Sequence, residues 1–85
     1  MSDQVGQIKR FILRALLKLE GAPMPGEALD QAVKETLAPR PLQSDIELAR
    51  RDLEEKKFIL GTKDELDGNV SWSLTTKGEL KAKQL

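Results

Sequence analysis

The sequence predicts an α+β fold that is mainly helical: a three-helix bundle, then a two-stranded β-hairpin and a short C-terminal helix. Three observations carry this. Apolar residues recur at spacings of three and four through the first two thirds of the chain, the pattern of helices with one buried stripe. The period then drops to two in "VSWSL", where Val70, Trp72 and Leu74 alternate with Ser71 and Ser73 as in a half-buried strand. Finally, 85 residues with 39% hydrophobic content can fill one small core and not two, so one domain over residues 1–85 is expected.

The first helix is expected over about residues 5–20, because Ile8, Phe11, Ile12, Ala15, Leu16 and Leu19 fall on one face and Gly21 then stops it. Pro23, Pro25 and Gly26 interrupt the chain. A second helix over about 26–38 follows, with Ala28, Leu29, Ala32, Val33 and Leu37 at helical spacing, until Pro39 and Pro41 end the pattern. The third is expected over about 43–57. Ser44 followed by Glu47 has the form of a capping box, and Leu42, Ile46, Ala49 and Leu53 lie within a narrow arc at about 100° per residue. The hairpin is expected over about 58–75, with Asp67 and Gly68 supplying the positive backbone angles of a tight turn, and the last helix over about 77–85. Leu16, Leu29, Val33, Ile46, Leu53, Ile59, Trp72 and Leu74 should meet in one core.

Composition removes several functions. With no cysteine and no histidine, the chain has no disulfide, no thiolate metal site, and none of the commonest neutral-pH general base. Glu54 and Glu55 are adjacent on a helix and point about 100° apart, so they do not converge on one substrate atom. No glycine-rich phosphate loop or nucleophile-plus-base set is present; no catalytic residue, metal or cofactor is expected, and the chain is read as a non-enzyme. Neither an export signal nor a bilayer-spanning stretch is evident, which makes a cytoplasmic location the expectation. Fourteen bases balance 14 acids, so any affinity for nucleic acid must come from local charge placement.

Two stretches carry a resemblance. "ARRDLEEKKFI" resembles the end of a recognition helix in winged helix-turn-helix transcription regulators, and "WSLTTKGELKAKQL" resembles the passage of their second wing strand into a final helix. The resemblance covers residues 8–80. It implies a bacterial, archaeal or phage DNA-binding module whose third helix enters the major groove while the hairpin touches the backbone or minor groove.

That implication sets the candidate DNA-binding residues: Ser44, Glu47, Leu48, Arg50 and Arg51 on the third helix, and Lys63 on the hairpin. The face opposite the apolar stripe carries Ser44, Glu47, Leu48, Arg51, Glu54 and Glu55, one base against three acids. A carboxylate in the groove accepts only from cytosine and is repelled by phosphate, whereas Ser44, Arg51 and the flanking Arg50 can donate. Around Lys63, Asp64, Glu65 and Asp67 outnumber it, and Lys57 stands where such helices often end in glycine. Elsewhere Arg10, Arg14 and Lys18 line one side of the first helix, either as a solvated face or as a strip for phosphates or a partner. Two uses follow: a transcription regulator that binds double-stranded DNA, as a homodimer because one such helix makes too few contacts, or a protein-interaction module using Leu48 and the acids.

Overall fold

The computed structural model describes residues 3–85. The elements are α1 (Asp3–Leu17), β1 (Met24–Pro25), α2 (Gly26–Thr36), α3 (Gln43–Glu55), β2 (Ile59–Lys63), β3 (Val70–Leu74) and α4 (Thr76–Lys83). The three strands form one antiparallel sheet in the order β1-β3-β2, with Trp72 opposite both Met24 and Gly61.

The helical stripes of the sequence become the core. Ile8, Ile12, Leu13 and Leu16 of α1 meet Leu29 and Val33 of α2 and Ile46, Ala49 and Leu53 of α3, and Ile59, Trp72 and Ala82 close the cluster from the sheet and α4. Seven of the eight expected core residues are buried; Leu74 is half-buried and packs against them. Trp72 lies across the sheet because Gly61 has no side chain: a Cβ there would stand 2.8 Å from Trp72 Cζ3.

The element ends differ from expectation for local reasons. α1 stops at Leu17, not near residue 20, and the chain turns through Glu20 and Gly21, both at positive φ. α3 begins one residue before Ser44, so Ser44 is already helical and the Ser44–Glu47 capping box does not form. Leu42 takes the cap position with extended backbone and no side-chain cap, and at 66% exposure it is not part of the buried face. Pro41 is the residue that turns inward there.

At its other end α3 stops at Glu55, and Lys57 adopts φ 64°. The amide of Phe58 reaches back to the carbonyl of Leu53 at 2.9 Å, and that of Lys57 to Glu54 at 3.0 Å, the closing bonds of a left-handed helix end that glycine fits best. The hairpin is wider than a two-residue turn. Residues 64–69 form its loop, closed by the Asp64 amide on the Asn69 carbonyl at 2.8 Å, and among its residues only Gly68 has positive φ. β1 was not expected from sequence; it lies within the proline-rich connection, and Pro25 is tolerated because β1 is an edge strand.

α4 begins at Thr76 with Thr75 as its cap, the hydroxyl accepting from the Gly78 amide at 3.0 Å. Its first turn runs close under the end of α3, where the Phe58 carbonyl accepts the Thr75 amide at 3.1 Å. Only glycine permits that approach, since a Cβ on Gly78 would stand 1.8 Å from the Phe58 carbonyl oxygen.

Candidate nucleic-acid interface

α3 buries Ile46, Ala49 and Leu53 and turns the opposite side to solvent. Ser44, Glu47, Leu48, Arg51, Glu54 and Glu55 are all exposed, Leu48 at 52%. The side chains that the helical angle places together in the sequence are therefore together on the surface. The hairpin stands beside them with Lys63 exposed at the end of β2, next to the acidic loop.

Arg50 occupies a different environment from Arg51. Its Nη1 donates to Asp30 Oδ1 of α2 at 2.7 Å, in a pair whose side chains are only 16% and 15% exposed, and the guanidinium sits 5.6 Å from the Trp72 ring centre. Asp30 Oδ2 accepts from Gln43 Nε2 at 2.9 Å, so one carboxylate ties α2 to both the start and the middle of α3. Arg50 thus links α2, α3 and the sheet, a role that sequence reasoning missed. The partners are 20 residues apart, and nothing local in the sequence marks Asp30.

Trp72 forms the floor on both sides of that bridge. One cleft runs over Glu47, Arg50, Arg51 and Glu54, and the other runs past Gly26, Glu27 and Asn69. The indole Nε1 is buried and has no hydrogen-bond partner among the described residues, against the open side of Gly26.

The remaining bases divide between structural and free roles. Lys9 of α1 pairs with Asp52 of α3, and Lys56 reaches the same carboxylate at 3.2 Å. Lys9 first, and Lys56 second, hold the Asp52 carboxyl below the ordinary carboxylate range. Lys77 donates to the Lys56 carbonyl at 2.9 Å and lies 4.9 Å from the Phe58 ring centre. Arg10 and Arg14 on α1, and Lys18 just after it, are exposed. Among the described residues no cluster of acidic, histidine or cysteine side chains could hold a metal ion, and no helix is long and apolar enough to cross a membrane.

No family model matches the chain, and no curated protein matches it. Two solved structures are similar to it. One is TA0346 from Thermoplasma acidophilum, a candidate transcriptional regulator, at 23% identity and TM-score 0.77 over 95% of this chain and 76% of that one. The other is a mutant of Lactococcus lactis ZitR in apo form, at 22% identity and TM-score 0.70 over 96% of this chain and 56% of that one. The fold is a winged helix. In its terms α2 and α3 are the helix-turn-helix, and β2 and β3 the wing.

Proposed function

We propose that the chain is a DNA-binding transcription regulator of prokaryotic or phage origin, acting in the cytoplasm, with α3 in the major groove of double-stranded DNA and the wing against the backbone. The observation that supports this reading is the exposed outer face of α3, the second helix of the helix-turn-helix, flanked by an exposed wing. Ser44 and Arg51 donate to base edges or phosphates, Glu47 accepts from cytosine, and Leu48 meets apolar groove surface. Arg50 offers the N–H groups that Asp30 does not engage, and Lys63 offers a point charge to a phosphate. Such a sparse donor set calls for two copies on adjacent half-sites, and a homodimer is part of the proposal. Titration with duplex DNA tests it: Arg51→Ala should bind more weakly than the unaltered chain, and equal affinity for the two would remove α3 from the interface.

One observation favours a second reading, a protein-interaction module. Leu48 is half exposed in the middle of a face whose acids repel phosphate. In that case Leu48→Asp abolishes a partner contact without unfolding the domain, because Leu48 lies off the core.

A further inference from the structure

The acids and bases of this chain cancel in sum but not in place. Glu47, Glu54 and Glu55 on α3 and Asp64, Glu65 and Asp67 at the wing tip are exposed acids, whereas Arg10 and Arg14 on α1 and Lys18 just after it are exposed bases. An apolar feature sits inside each field.

At the wing tip it is Leu66, 97% exposed. The loop holds it outward with internal bonds: the Leu66 amide donates to Asp64 Oδ1 at 2.7 Å, the Asn69 amide to Asp67 Oδ1 at 2.9 Å, and the Gly68 amide to the Asp64 carbonyl at 2.9 Å. A leucine in this setting is presented at little further entropic cost on binding. On the basic side lies an open groove of about 670 Å³ between α1, β1 and α4. Phe11, Ala15, Met24 and Ala82 form its floor, and Arg14, Lys18 and Lys83 form its rim. Arg14 and Lys18 make no ion pair among the described residues, while Lys83 holds Glu79 at 3.1 Å in an exposed pair.

We infer that the wing tip of one copy docks in the α1–α4 groove of a second copy. Leu66 covers the apolar floor, and the acids of the tip face the cations of the rim. The complementarity is specific in sign, since the tip bears acids alone after Lys63 and the rim is cationic. Each copy has one tip and one groove, so a pair that exchanges tips leaves neither groove empty. A contact of one leucine and solvent-exposed charges is weak and falls off steeply with salt. It requires no DNA and leaves α3 free, but a docked tip does not at the same time lie against a DNA backbone, so the pairing belongs to the DNA-free chain.

Sedimentation equilibrium of the purified chain without DNA, over a protein concentration series at low and at high salt, tests this. The expected result is association at low salt that weakens at high salt. Leu66→Asp should raise Kd by about tenfold to a hundredfold, the worth of one buried leucine. Lys18→Glu and Glu65→Lys should each weaken association, and the two combined in one chain should recover it. All three positions are exposed, so thermal unfolding should be unchanged and a loss of association cannot be read as misfolding. A chain that stays monomeric, or an association that survives Leu66→Asp or Lys18→Glu, would overturn the inference and leave the groove to a different partner.

Discussion

Gly78→Ala is the substitution for which local and tertiary physics disagree most sharply. Within a helix the change normally gains about 1 kcal/mol, because alanine loses less backbone entropy on folding. Here the added Cβ stands 1.8 Å from the Phe58 carbonyl oxygen, 2.8 Å from its carbon, and 3.1 Å from Leu74 Cδ2. Carbon and carbonyl oxygen approach to about 3.3 Å at closest, so α4 must withdraw by about 1.5 Å. The obstacle is backbone, and it cannot swing aside as a side chain would. Withdrawal breaks the Thr75 amide bond to the Phe58 carbonyl, 3.1 Å long, and the Thr75 hydroxyl bond to the Lys57 carbonyl, 2.5 Å long. Two hydrogen bonds at about 1 kcal/mol each and a packing strain of about 1 to 3 kcal/mol, less the propensity gain, leave a net loss of about 2 to 4 kcal/mol. For a domain of this size that lowers Tm by about 10 to 25 °C. Thermal unfolding followed by circular dichroism and by fluorescence of Trp72, the one tryptophan, reads it directly. A Gly78→Ala chain that melts at or above the unaltered one would refute the argument from close approach.

Other outcomes follow from the same structure. Lys57→Gly should stabilise the domain by up to about 1 kcal/mol, because Lys57 sits at φ 64° where an L side chain is strained; denaturant titration would show a raised midpoint with unchanged slope. Leu53→Ala should cost about 2 to 5 kcal/mol, since Leu53 is buried at the junction of α3 with the core, and the same titration measures it. Asp52→Asn should lose stability that depends on pH. The folded carboxyl titrates below its unfolded value, so its contribution is present above the unfolded pKa and lost as pH falls through the folded one. Melts of the two chains should therefore differ at neutral pH and converge below the ordinary carboxylate range.

How much of this was legible in the sequence depended on whether the determinant was periodic. The three helices and the hairpin follow from apolar spacing, and seven of eight expected core residues are buried because a stripe has only one place to go in a domain with one core. The ends were less legible. Ser44 and Glu47 have the right spacing for a capping box, but α3 starts at Gln43, and a box shifted by one residue caps nothing. Leu42 matched the apolar arc by angle, yet it precedes the helix, where the angle no longer applies. β1 was invisible because two residues carry no period. Within the α3 face, exposure was readable from the same angles, but the hold of Asp30 on Arg50 was not, since it joins helices that only tertiary packing brings together. The glycine at position 78 gave no sign of its role, because its constraint comes from the carbonyl of a residue 20 positions earlier.

If the exposed face of α3 meets DNA, as proposed, its acids temper the contact. Titration of mixed-sequence duplex DNA at several salt concentrations, for the unaltered chain and for Glu47→Gln with Glu54→Gln, tests it most directly. Both positions are exposed, so the apolar stripe is untouched. The expected result is measurable binding at low salt, weaker as salt rises, with the glutamine chain binding more tightly and falling more steeply with salt because two repulsive charges near phosphates are gone. No binding by either chain at low salt, where phosphate contacts are strongest, would contradict it and pass α3 to the protein-interaction reading.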